Sequence, residues 1–217
     1  VIKKYSTTTN TLTTTTDYIA RRGRSSISFQ YRHNAGQETR IDPSVSNLVD
    51  IYMLERTYDN LFRVWLQDGG TKPDASTSDQ MRISYSGKLN SLKSLSDQIV
   101  YHPVKYKILF GSNADEELQA TFKVVKNTKT NVTDAVIKTR VIAAINEFFA
   151  LDNWDFGDAF YFTELAAYVH NQLAPDLLTA VIVPNQAGQT FGSLFQINSA
   201  ADEIFISGAT VDDVSII

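Results

Sequence analysis

Three histidines, His33, His102 and His170, are the side chains best suited to move a proton or hold a metal near neutral pH. No two of them stand four apart on a helical pattern, and no His-Glu-x-x-His run occurs. With no cysteine in the chain, a zinc site would need histidine and carboxylate ligands at spacings this sequence does not supply. His102 precedes Pro103 at the start of a predicted strand, and His170 falls on the polar side of a short predicted helix. All three therefore read as solvated or hydrogen-bonded structural residues. The most tempting cluster is Asp152-Asn153-Trp154-Asp155-Phe156-Gly157-Asp158. It contains the Asp-Phe-Gly triplet that holds magnesium in protein kinases, but the chain has neither a glycine-rich phosphate loop nor a His-Arg-Asp loop. Its spacing also departs from the calcium loop, which places oxygen ligands at alternate positions before a glycine. The simpler reading is a connecting loop that buries Trp154 and Phe156 and leaves the aspartates solvated or capping. An unrecognised site between Asp152 and Glu164 is the enzymatic alternative.

Arg21, Arg22 and Arg24, with Lys3 and Lys4 upstream, form the basic cluster of a chain whose net charge is −4. A nucleic-acid binder carries a strongly basic surface and a recognisable motif, so this patch reads as the counterpart of an acidic protein surface. Asn131-Val132-Thr133 matches a glycosylation acceptor but reads as a turn followed by a helix cap. Tyr52, Tyr58, Phe62 and Trp65 are read mainly as core; Tyr58, Leu61, Phe62 and Trp65 also form a candidate docking stripe. No catalytic, cofactor-binding or metal residue is assigned. The expected work of the chain is binding through surfaces rather than catalysis.

Composition sets the frame for these residues. Apolar residues make up 43% and charged residues 20%, the balance of a chain that can bury a core. No apolar run approaches the roughly 18 residues a membrane span requires. Starting at Val1 and ending on Val214-Ser215-Ile216-Ile217, the sequence reads as a piece of a longer polypeptide.

Thr7 to Thr16 holds eight threonines in ten residues, and their β-branching predicts extended chain. Ile27, Phe29 and Tyr31 alternate with polar residues as a half-buried strand does. Leu48 to Leu54 reads as a strand covered on both faces apart from Asp50. Met81, Tyr85, Leu89 and Leu92 mark a helical stripe weakened by Gly87. Val104 to Phe110 and Leu118 to Val124 are two alternating runs around a turn-rich loop, which predicts an antiparallel hairpin. A helix over 134–150, capped by Thr133 or Asp134, carries Ile137, Val141, Ala144, Ile145 and Phe148 on one face. A short strand follows at Ala159 to Phe162. A second helix, capped by Thr163 and ended by Pro175, turns Leu165, Tyr168, Val169 and Leu173 inward. Thr179 to Val183 reads as a buried strand stopped by Pro184, with further β segments at Leu194 to Ile197 and Glu203 to Ser207. The predicted class is α+β: a split β-α-β sandwich with helices on one face of a mixed sheet, plus β-rich extensions at both ends. Its segments are a Thr-rich extended stretch over 1–45, a core over 46–184 and a β-rich end over 185–217.

Three stretches, 23–54, 96–125 and 140–183, carry a resemblance. Within them IDPSVSNLVDIYML, KYKILFG and LQATFKVV resemble the baseplate wedge proteins of T-even-type contractile-tailed phages, relatives of the wider baseplate J family. The order of elements matches over roughly residues 20 to 184. The resemblance implies a late, structural virion protein with no catalytic residues, assembled in the host cytoplasm. It also implies copies that pair with one another within and between wedges, other wedge proteins as neighbours, and a ring that supports sheath attachment and rearranges on contraction. A component of another contractile injection system is the alternative it leaves open.

Overall fold

The structure, a computed structural model, describes residues 3–6, 11–14, 48–89, 98–186 and 196–217. His33, the arginines at 21, 22 and 24, the alternating run 27–31 and Leu92 lie outside the described residues. So does most of the first stretch of the family resemblance.

Helices form where apolar side chains recur at three and four residues. Helix α1 (Arg56–Asp68) buries Tyr58 and Phe62, and Gly69 closes it at φ 75°, its N–H donating to the Trp65 carbonyl. Helix α2 (Ser78–Leu89) begins with a reciprocal box. The Thr77 hydroxyl accepts the Gln80 N–H at 3.3 Å, and the Gln80 side chain accepts the Thr77 N–H at 2.8 Å. Met81 and Leu89 are buried on it. Helix α3 (Asp134–Phe148) buries Ile137, Val141, Ala144 and Ile145. Thr133 occupies its N-cap position, but only the Thr133 carbonyl bonds into the helix, to Ile137 N–H; its side chain caps nothing. Helix α4 (Phe162–Leu173) starts two residues earlier than a Thr163 cap would require, with Tyr161 as N-cap and Thr163 inside the first turn. Its buried face is Phe162, Leu165, Val169 and Leu173.

The strands are β1 (Lys3–Ser6), β2 (Thr11–Thr14), β3 (Leu48–Met53), β4 (Gln98–Pro103), β5 (Lys105–Leu109), β6 (Ala120–Lys126), β7 (Ala159–Tyr161), β8 (Leu177–Pro184), β9 (Gln196–Asn198), β10 (Glu203–Ser207) and β11 (Val214–Ile216). With four helices and mixed strand pairing among the described residues, the chain is α+β. It divides into two compact units that interleave in sequence, 1–53 with 76–103 and 54–75 with 104–217. In the first, β1 pairs antiparallel with β2 and β3 parallel with β4, and α2 packs on β4 around Met53, Met81, Leu89, Ile99 and Tyr101. Strand β3 is not covered on both faces: Asp50 is 53% exposed and Tyr52 stands beside it on the open side.

In the second unit β6 lies between β11, to which it is parallel, and β8, to which it is antiparallel, with α3 and α4 packed together against these strands. The segments after residue 185 pair inside this unit. The hairpin expected from β5 and β6 does not form. Strand β5 instead pairs in parallel with β10, nearly a hundred residues later, and β6 joins the other sheet. The reason lies at the end of β5, where Phe110 (φ 65°) and Gly111 (φ 72°) turn the chain through two consecutive left-handed residues. That turn drops the fully buried Phe110 ring among Phe122, Phe149, Phe160 and Phe162, at centroid distances of 4.9, 6.1, 6.0 and 6.0 Å.

Gly111 lies against the backbone of Gly208, whose N–H donates to the Leu109 carbonyl at 2.9 Å. A Cβ on Gly111 would overlap the Gly208 carbonyl and also meet the left-handed penalty. Gly111→Ala is expected to cost its unit roughly 2–4 kcal/mol in urea unfolding. Gly87→Ala, in helix α2 with open space around the added carbon, is expected to stabilise by up to ~1 kcal/mol.

Candidate functional site

His102 and Asp50 come together on neighbouring strands β4 and β3. The parallel register sets Tyr52 opposite His102 and Asp50 two residues before Tyr52 on the same face. His102 Nε2 lies 2.7 Å from Asp50 Oδ1, and the Tyr52 ring stacks on the imidazole at 4.6 Å. The group is solvent-facing, with the imidazole one-third and the carboxylate half exposed. Its geometry holds a ring in place. Among the described residues, no group of three or more histidines and carboxylates is arranged to hold a metal ion. His170 differs from the sequence expectation. It is half-buried in the last turn of α4, and its Nδ1 is buried with no hydrogen-bond partner among the described residues.

The Asp152 to Asp158 loop is held by its own polar groups. Asp158 Oδ2 accepts the Asp155 N–H at 2.5 Å, and the Asp158 carbonyl accepts both the N–H and the hydroxyl of Ser199. Gly157, at φ 76°, donates its N–H to the Glu203 carbonyl. Trp154 is buried and donates Nε1–H to the Phe148 carbonyl at 2.8 Å, while Phe156 packs partly buried at the edge of the core. The loop around the Asp-Phe-Gly triplet thus ties the end of α3, through Trp154, to Ser199 just after β9 through Asp158 and to β10 through Gly157. Asn131 to Thr133 forms the approach to α3.

A polar cluster that the sequence did not announce lies between α1 and β5. Asp59 Oδ1 accepts Arg63 Nε–H at 2.6 Å and the Tyr106 hydroxyl at 2.5 Å, and Tyr58 stacks on the Tyr106 ring. Burial, and then the neighbouring Asp59 carboxylate, push the Tyr106 hydroxyl far above the ordinary tyrosine range. Sequence spacing announces the Asp59–Arg63 step on one helix, but nothing local brings in Tyr106, 47 residues away.

A cavity of about 250 Å³ opens beside this cluster, lined by Arg63, Gln67, Asn146, Phe149 and residues 206–210. Arg63 is the ionisable side chain in its wall, and it is already paired. Of its hydroxyls, Ser207 accepts the Ala209 N–H, and Thr210 donates to Asp213, which also accepts the Thr210 N–H. Most of the aromatic stripe on α1 turns inward: Tyr58 and Phe62 are buried, Trp65 is partly buried, and Leu61 faces out.

The longest apolar exposure on a strand is on β8. Thr179 and Val181, on one face, are exposed, Val181 to 51%, so the run 179–183 is a strand open on one face rather than a buried one. No helix of the described residues is long and apolar enough to cross a membrane. The chain matches no protein-family model and no curated protein.

Tyr106 predicts an alkaline signature. Its folded-state pKa is raised, so its contribution is complete below about pH 10, where the unfolded tyrosine is also neutral. As pH rises further, the unfolded chain releases the phenolic proton while the folded chain keeps it, and stability falls. Tyr106→Phe is expected to cost about 1.5–3 kcal/mol at pH 7, because it removes a hydrogen bond to a charged group. It should also flatten the decline above pH 10, measured by urea unfolding across pH.

Proposed function

We propose that this chain is a structural subunit of a contractile phage tail baseplate wedge, one that associates with copies of itself and with other wedge proteins. The observation that carries the reading is the ordered run of resembling segments, IDPSVSNLVDIYML, KYKILFG and LQATFKVV, together with the order of elements read from the sequence over roughly residues 20 to 184. The polar chemistry of the described residues supports it. Asp59, Asp158, Asp176 and Asp213 each hold a side chain or backbone group of the protein itself. Its place is the virion, within the tail baseplate, after assembly in the host cytoplasm. Nucleic acid, a cofactor and catalysis have no part in this reading.

Light scattering of the purified chain over a concentration series, together with pull-down of wedge proteins from the same phage, tests the proposal. Concentration-dependent association and capture of a wedge neighbour are expected. A chain that stays monomeric at high concentration and captures none of them would overturn it. Capture restricted to parts of a different contractile injection machine would move the protein to that class. Saturable binding of magnesium, calcium or nucleotides in calorimetry would revive an enzymatic site between Asp152 and Glu164.

A further inference from the structure

Strand β8 has the means to serve as the pairing edge of this protein, and we infer that two copies join antiparallel through it. The inference rests on the self-association proposed above and gives it a place.

Among the described residues β8 is hydrogen-bonded on one side only, to β6. The direction of its groups follows from two bonds that bracket the sheet. Asn185 N–H donates to the Gln119 carbonyl, which continues the register pairing Pro184 with Ala120. Ile217 N–H donates to the Val124 carbonyl, so the even-numbered positions of β6 face β11 and the odd-numbered ones face β8. By the alternation of an antiparallel ladder, Val181 and Val183 bond inward to Lys123 and Thr121, while Ala180 and Ile182 aim both N–H and C=O at the open edge.

That edge lacks the devices by which strand edges are normally kept apart. Its sequence, LLTAVIVP, has no charged residue, and its proline stands at the last position. The one irregularity is the register shift between Val125 and Lys126, which lies opposite the start of β8. At the other side of the same sheet, β11 is only three residues long and follows Asp212 and Asp213. Strands β5 and β10 carry Lys105, Lys107 and Glu203. An uncharged edge is complemented by an uncharged strand, and β8 is itself such a strand.

Antiparallel pairing about a two-fold axis at Val181 lets Ala180 of each copy exchange hydrogen bonds with Ile182 of the other, which satisfies every outward group of both residues. Val181 then faces its own counterpart as a non-hydrogen-bonded pair, the closest approach in the ladder at roughly 4.5 Å between Cα atoms. Lys123, next to Val181 on the outer face, is held about three strand spacings, ~14 Å, from its counterpart, beyond the screening length at physiological salt.

The chain has no native cysteine, so Val181→Cys introduces a single thiol at the proposed axis. A disulfide requires Cα atoms about 4.4–6.8 Å apart, which this register supplies. Mild oxidation of the V181C full chain should give a covalent dimer in high yield, while Thr139→Cys, on the exposed side of α3, should not. Val181→Lys should raise the dimer dissociation constant at least tenfold in light scattering while leaving the circular dichroism spectrum and melting temperature unchanged. A dimer that persists in V181K, with no V181C cross-link, overturns this edge and leaves the wedge reading intact. A chain that never self-associates overturns the edge, and if it also captures no wedge protein the wider reading falls with it. A V181K variant that loses only a different protein's binding identifies a foreign strand as the occupant and overturns the pairing of copies.

Discussion

The close approach of two chain segments at Gly111 and Gly208 governs the larger unit. Phe110 adopts a left-handed conformation that costs a bulky residue about 1–3 kcal/mol. Truncating a buried phenylalanine typically costs about 3–5 kcal/mol, so burial of this ring outweighs the backbone strain it requires. The turn works because Gly111 and Gly208 let the two backbones touch, with Leu109 and Gly208 hydrogen-bonded across the contact. It sends the chain out of the plane of β5, so β6 starts in a different sheet. One strained residue thereby decides that β5 waits for β10 as its partner.

Local signals read well from sequence where the cause is local. Helix α3 follows from the spacing of Ile137, Val141, Ala144 and Ile145, and helix α4 from Leu165, Val169 and Leu173. The place of β8 and its end at Pro184 follow from β-branched residues and a proline, although the strand begins at Leu177, two residues before the expected run. Strand partners do not follow in the same way. Alternating runs around a turn-rich loop look alike whether the loop closes a hairpin or the chain leaves the sheet. Only the left-handed turn at Phe110 separates the two, and a phenylalanine at such a φ has no signature of its own.

The same limit explains what the site residues became. Asp-Phe-Gly has a chemical meaning only when other elements bring a phosphate loop to it; here Glu203 meets Gly157 and Ser199 meets the adjacent Asp158, so the loop is held to β10 and to the chain just after β9. Asp50 and His102 are 52 residues apart and meet because β3 and β4 are in parallel register, a fact carried by neither residue's neighbours. Neither threonine caps its helix through its side chain: Thr133 stands at the N-cap of α3 with its hydroxyl unused there, whereas α4 begins at Phe162, before Thr163. At Thr77 the paired Gln80 supplies a reciprocal partner three residues on, a signal that lies within the local sequence.

Strand β8 shows why apolar composition alone misleads about burial. A run such as Thr-Ala-Val-Ile-Val reports that extended chain is favourable, and a covered central strand and a bare edge strand share that preference. The two differ in what a protein must do about the unpaired backbone. A covered strand needs nothing further, whereas an edge strand must find partners for its outward backbone groups, and among the described residues nothing pairs with β8 on the side of Ala180 and Ile182. An edge that serves no contact is normally interrupted by a lysine or an early proline, and β8 has neither within its first seven residues. The absence of those guards on the longest described edge is the physical ground for assigning it to an interface, and it holds whichever assembly the chain belongs to.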